Sequence, residues 1–235
     1  MFRMAQVPRP DWQAKVEAVG LTFHTDCPQP GVAPAGDGGS YWNEAAAYVF
    51  TDVEADTIRD ATAALHVMCL QAAHHVAERD DLLDLFGIPP SWRSFVCASL
   101  RRGDPSLYGR LDLAYDGAGP PRLLEYNADT PTSLIESAAA QWHWLAEVHS
   151  GQDQFNPLHE RLIDRLRAIG AMARQPGTAL PVLHVSSVDD DGEDRQTARY
   201  IQDVAVQAGW DARFVALADV GWSGRDRRFV GLLGE

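Results

Sequence analysis

The spacing of apolar and polar residues predicts an α/β chain, and three observations carry that prediction. Residues 110–127 read as an antiparallel hairpin, with alternating runs on either side of a Gly/Pro-rich turn. Four stretches, 52–79, 91–101, 134–148 and 157–172, read as helices. Residues 180–217 read as strand, helix and strand, the pattern of a parallel pair. With 235 residues, 46% of them hydrophobic, the chain can bury a real core as one large domain or two small ones. The expected organisation is a mainly helical region over 1–105, the hairpin and following helices over 106–178, and the strand-helix-strand region over 179–235.

Taken in order, residues 11–19 form a short helix ending at Gly20. The stretch 27–40, CPQPGVAPAGDGGS, is a plain Pro/Gly-rich loop, because its GDGGS lacks the lysine and strand-to-helix setting of a phosphate loop. Residues 41–50 are aromatic-rich, which places Trp42 and Tyr48 in the core. The helix over 52–79 carries Ile58, Ala61, Leu65, Met68, Ala72 and Val76 at helical spacing, with Asp52 as its cap. His74 and His75 are adjacent and point about 100° apart on a helix, so with His66 they read as surface or capping histidines and not as metal ligands. A second helix follows IPPSW, with Pro90 in its first turn.

The hairpin sorts its residues by face. Opposing residues on antiparallel strands keep a constant index sum, and one register pairs Arg110 with Asn127 and Asp112 with Glu125 on one face. The same register sets Leu111 against Tyr126 and Leu113 against Leu124 on the other. Two opposed carboxylates repel unless a cation lies between them, and a hard divalent ion such as Mg²⁺ takes oxygen ligands of this kind. Asp112, Glu125 and Asn127 would be its ligands, with Arg110 at the edge to fork onto a phosphoryl group. The alternative is a solvated strand face on which Arg110 offsets one carboxylate.

After the hairpin, Thr130, Thr132 and Ser133 precede the helix over 134–148, where free backbone N–H groups favour anions and where one hydroxyl equally serves as cap. The helix over 157–172 aligns Leu158, Leu162, Leu166 and Ile169; its His159-Glu160 is followed by Ile163, so no zinc-protease motif is present. The strand from 180 leads into a helix over 193–208 ending at Gly209, and the acids at Asp189, Asp190, Asp191, Glu193 and Asp194 suit a helix N-terminus.

LYGRLDLAYDG followed by LLEYNADTPTSL resembles the glutathionylspermidine synthase family, in particular its pre-ATP-grasp domain proteins. PRPDW at 8–12, YWNE at 41–44 and DQFN at 153–156 extend the resemblance over essentially the whole chain. The resemblance implies a pre-ATP-grasp-type domain with the start of an incomplete ATP-grasp fold, and a mixed sheet whose antiparallel hairpin carries the metal site. It implies Mg²⁺ and ATP as cofactors, a glutathione-like carboxylate and a polyamine-like amine as substrates, and amide-bond formation through an acyl phosphate. It assigns substrate contacts to the hydroxyls of Thr130 and Thr132, where the family pattern carries serines, and to the acidic pair Glu193 and Asp194.

Composition narrows the partners. A net charge of −13 and a pI near 4.9 leave no basic patch for a nucleic acid. No window approaches the roughly 20 apolar residues of a membrane span. Three widely spaced cysteines, Cys27, Cys69 and Cys97, read as reduced thiols of a cytoplasmic protein. The chain holds a single lysine, Lys15, whereas ATP-grasp enzymes use cationic groups on the nucleotide phosphates, which the resemblance places in sequence further downstream. Two functions are therefore expected: a carboxylate-amine ligase, or a truncated and inactive fragment that keeps substrate or partner binding.

Overall fold

A computed structural model of the chain describes residues 1–25, 41–129, 132–173, 181–188, 192–232 and 234. The fold is mixed α/β, with seven α-helices and eight short strands among the described residues. They pack as two compact units, Met1–Phe2 with Tyr48–Pro131 and Arg3–Ala47 with Thr132–Glu235. Strands β1 (Phe2–Ala5) and β2 (Ala46–Val49) form one of the two-stranded pairs. The single mixed sheet expected from the sequence is not seen among the described residues, where the strands form four separate two-stranded sheets. The hairpin belongs to the first unit and the parallel pair to the second, so each is paired by itself.

In the first unit, α2 (Asp52–Ala77) starts at Thr51, whose side chain accepts from the Glu54 N–H while the Glu54 carboxylate accepts from the Thr51 N–H. This reciprocal box displaces Asp52 from the expected capping role, since Thr51 stands in extended backbone one residue earlier. The apolar stripe of α2 is half-buried at Ile58, Leu65 and Val76, and Met68 stays 60% exposed. A short helix absent from the expectations, α3 (Asp80–Leu85), is joined to α4 (Pro90–Arg102) by Arg93, which donates to the Ile88 carbonyl and pairs with Asp84. Tyr48, expected in the core, is 61% exposed. The alternation of β2 turns its side chain outward while Trp42, which precedes the strand, packs inward.

The hairpin pairs β3 (Arg110–Ala114) with β4 (Arg122–Asn127). Gly117 and Gly119 take positive φ in the turn, a conformation that costs glycine nothing.

The second unit is built around Val16, Leu21, Phe23, Ile135 and Ala140, with Trp12, Tyr41, Trp42 and Tyr200 packed on them. Full burial of each aliphatic side chain stabilises by about 1.5–3 kcal/mol. Helix α1 (Trp12–Glu17) supplies Val16, and its C-terminus turns at Gly20, so that the Leu21 N–H donates back to the Val16 carbonyl. Residues 134–148 form one helix, as expected, but Glu136–Ala140 is wound as a π-helical segment before α5 (Gln141–Val148). Helix α6 (Leu158–Ala173) buries Leu162 and Leu166. Strands β5 (Val182–Ser187) and β6 (Asp211–Ala216) are parallel, linked by α7 (Glu193–Gln207), which is the strand-helix-strand unit the sequence predicts. Trp210 seals it by donating to the Leu166 carbonyl at 2.9 Å. A small hairpin of β7 (Gly221–Ser223) and β8 (Arg228–Val230) follows.

Cys69 and Cys97 are free thiols, while Cys27 and the rest of residues 27–40 lie outside the described residues. Among the described residues no helix is long and apolar enough to cross a membrane.

Candidate functional site

The hairpin register pairs Arg110 with Asn127, Leu111 with Tyr126 and Asp112 with Glu125, as the alternation predicts. A β-bulge then shifts the register between Asp112 and Leu113, so Leu113 faces Leu123 and not Leu124. Leu124 is the extra residue and stands 71% exposed. A bulge here bends the strand directly beside the acidic pair, the kind of place where bulges re-aim side chains.

On the polar face the Arg110 guanidinium donates from Nε to Asp112 Oδ1 at 2.9 Å and from Nη2 to Oδ2 at 3.5 Å. With the Asn127 amide turned to satisfy both neighbours, its oxygen accepts from Arg110 Nη2 at 3.0 Å and its nitrogen donates to Glu125 Oε1 at 3.0 Å. Asp112, Arg110, Asn127 and Glu125 thus form one connected chain. Arg110 and Asp112 are 36% and 37% exposed at the side chain, so water and small ions reach both. Beside them, burial pushes the Tyr108 hydroxyl up to about 12, against the opposing pull of the Arg110 charge.

Two carboxylates and an amide oxygen are hard donors, a set that fits Mg²⁺ with its remaining positions taken by water or phosphate oxygens. No cluster of three or more His, Cys, Asp or Glu side chains suited to a metal occurs among the described residues, so a cation here depends on the Asn127 oxygen and on oxygens from outside the protein.

Of the second group of expected residues, Thr132, Glu193 and Asp194 lie in the other unit. Thr130 is outside the described residues. Thr132 is half-buried immediately before Ser133, which holds a positive φ of 68°. The Ser133 carbonyl accepts from the Ser137 hydroxyl at the start of the π-helical segment. That winding carries Glu136 inward, to 8% exposure, where it accepts from the Tyr41 hydroxyl at 2.6 Å. Burial raises the Tyr41 hydroxyl strongly, helped by the hydrogen bond to Glu136 and by the Glu136 and Glu193 charges, while a hydrogen bond with Ser133 works the other way. Glu193 therefore shares the neighbourhood of Tyr41, Ser133 and Glu136, whereas Asp194 is exposed on the first turn of α7. The sequence analysis does not point to the Tyr41–Glu136 pair. The available signal was a lone glutamate inside the apolar run LIESAAA.

The resemblance-bearing stretches PRPDW and YWNE meet directly. Arg9 Nε donates to Glu44 Oε1 at 2.5 Å, Trp42 Nε1 donates to Glu44 Oε2 at 2.6 Å, and Arg9 Nη1 reaches Glu147 Oε1 at 3.2 Å. Lys15, the single lysine, also bonds Glu147, and this bond with the Arg9 charge holds the Glu147 carboxyl below the usual range. Both motifs thus serve the fold of the second unit.

Residues 3–235 match the family model described as glutathionylspermidine synthase pre-ATP-grasp. The chain belongs to this family. Among curated relatives it is 35% identical over 236 residues to a putative acid–amine ligase of Haemophilus influenzae, covering 99% of this chain and 56% of that protein. It is 26% identical over 156 residues to the trypanothione synthetase of Crithidia fasciculata, covering 66% of this chain and 23% of the synthetase. The chain thus spans about half the length of the first relative and less than a quarter of the second.

Proposed function

We propose that this chain carries the metal-binding hairpin and part of the substrate site of an ATP- and Mg²⁺-dependent carboxylate–amine ligase of glutathionylspermidine synthase type. The reading rests on one observation above all: a single hairpin register that gathers Arg110, Asp112, Glu125 and Asn127 on one face. Asp112, Glu125 and Asn127 would hold Mg²⁺, and ATP when bound supplies the phosphoryl group that converts the substrate carboxylate into a displaceable acyl phosphate. Arg110 stays charged at any working pH and offers its fork to a phosphoryl oxygen in exchange for its present partners. The Thr130 and Thr132 hydroxyls hydrogen-bond a glutathione-like carboxylate. Glu193, joined by Glu136, makes an acidic surrounding that favours a polyamine-like ammonium, and the exposed Asp194 follows Glu193 on α7 to meet the same substrate.

The test is Glu125→Gln in the longest polypeptide that contains this chain. The expected result is loss of ligase turnover with thermal stability held within about 1 kcal/mol, as for a surface change. Retained turnover with a large loss of stability would make Glu125 structural.

A second reading is a binding fragment without catalysis of its own, favoured by the 56% coverage of the acid–amine ligase. Calorimetry with Mg·ATP, and ATP hydrolysis with glutathione and spermidine, separate the two. The second reading describes the 235-residue piece if it does neither while a longer polypeptide containing it does both.

A further inference from the structure

The bulge beside Glu125 creates a specific hazard. From Arg110 to Asp112 the strands run in one register, and from Leu113 to Ala114 they run one residue out of it. Were the second register to extend through the whole hairpin, Asp112 would face Leu124 and Arg110 would face Tyr126. A one-residue slip turns alternate side chains to opposite faces. Glu125 and Asn127 would then leave the face of Asp112 and Arg110. Something must hold the bulge where it is.

We propose that Tyr126, seated across Gly109 and tied to His66, is the register lock that keeps the four polar residues on one face. This inference rests on the reading of that face as a divalent-cation site. The Tyr126 side chain emerges on the side of β4 opposite to Glu125 and Asn127. Its ring reaches diagonally over Gly109, the residue immediately before Arg110. A Cβ added at Gly109 would lie 2.5 Å from Tyr126 Cε2, 3.0 Å from its hydroxyl oxygen and 3.2 Å from the Asn127 carbonyl oxygen. Gly109 does not occupy the positive-φ region, so the requirement for glycine here is one of space alone. An aromatic ring covering a cross-strand glycine is a known means of pinning a sheet register.

The far end of the ring is also anchored. The Tyr126 hydroxyl lies 2.9 Å from His66 Nδ1 on α2, and the two rings meet edge to face with centroids 5.8 Å apart. A slip that moved Tyr126 opposite Arg110 would break both contacts. His66, which the sequence offers only as a surface or capping histidine, thereby joins α2 to the strand carrying Glu125 and Asn127. Tyr126, Gly109 and His66 act through these neighbours and are positioning residues.

The test uses the 235-residue chain and two readouts. Cross-strand NMR contacts report the register, and Mn²⁺ paramagnetic titration reports cation affinity, with Asp112→Asn as the ligand control. In Gly109→Ala and Tyr126→Leu the Leu111–Tyr126-position contact gives way to an Asp112–Leu124 contact, and Mn²⁺ affinity falls at least tenfold. Tyr126→Phe keeps the ring, so the register persists and affinity stays within about threefold. A native register and affinity within twofold of wild type in both Gly109→Ala and Tyr126→Leu overturns the lock. Should the wild-type chain show no Mn²⁺ binding that Asp112→Asn removes, the cation reading fails, and the register contacts still decide the lock.

Discussion

Two of the arginine–carboxylate pairs among the described residues stand in opposite surroundings. Arg9 and Glu44, in the second unit, are 5% and 2% exposed at the side chain and 2.5 Å apart. Arg110 and Asp112, on the hairpin of the first unit, are 36% and 37% exposed and 2.9 Å apart. Removing one partner of a buried pair strands a charge in a medium that solvates it poorly, whereas an exposed pair exchanges freely with water and ions. The comparison teaches where function can reside. The proposed exchange of Asp112 for a phosphate suits the guanidinium of the solvated pair, whereas the buried pair joins PRPDW to YWNE.

Breaking the buried pair has the largest expected effect. Arg9→Ala leaves Glu44 with only the Trp42 indole among the partners described here for its carboxylate, and also removes a bond to Glu147. We expect a loss of about 3–5 kcal/mol in denaturant unfolding. A loss below about 1 kcal/mol would show that water replaces the arginine, and the contrast between the two pairs would collapse.

A second, smaller effect sharpens the contrast through pH. The buried Glu136 holds the Tyr41 hydroxyl, whose titration lies above its ordinary value of 10.0 in the folded chain. The unfolded chain loses this proton near pH 10 while the folded chain keeps it, so the stability it contributes is complete below pH 10 and falls as pH rises further. Tyr108 and Tyr200, each pushed up to about 12 by burial, act in the same direction. Glu136→Gln retains an acceptor but removes the charge. Ultraviolet titration should then show one tyrosine ionising at lower pH than in the wild type, and the alkaline loss of stability should be shallower by that one group. An unchanged titration curve would mean that the Glu136 charge does not reach Tyr41.

The same contrast governs what the sequence discloses. The hairpin pairs Arg110–Asn127, Leu111–Tyr126 and Asp112–Glu125 are legible because alternation has a period of two and four polar residues satisfy only one register. The bulge is not legible, since the adjacent Leu123 and Leu124 give no sign of which one is extra. The strand-helix-strand unit is readable from local pattern, and so is the helix after the hairpin, but its π-helical winding is not. Tyr41 and Glu136 are 95 residues apart, and no spacing rule joins them. Thr51 and Asp52 are both good caps, and only backbone conformation chooses between them. Helix α3 is six residues long, too short for periodicity to announce.

The smallest expected effect on stability, and a large one on chemistry, comes from Arg110→Lys. Lysine keeps the charge, so the electrostatic relief given to Asp112 persists, and the exposed setting limits the stability change to under about 1 kcal/mol. An ammonium group is a point donor and cannot serve Asp112 and the Asn127 oxygen with the spread of a guanidinium. It likewise cannot fork onto two oxygens of a phosphoryl group. In the longest polypeptide containing this chain, kcat should fall at least a hundredfold while the unfolding midpoint stays near that of the wild type. If turnover survives at the wild-type rate, Arg110 serves only to neutralise Asp112, and the solvated pair has no more claim to function than the buried one.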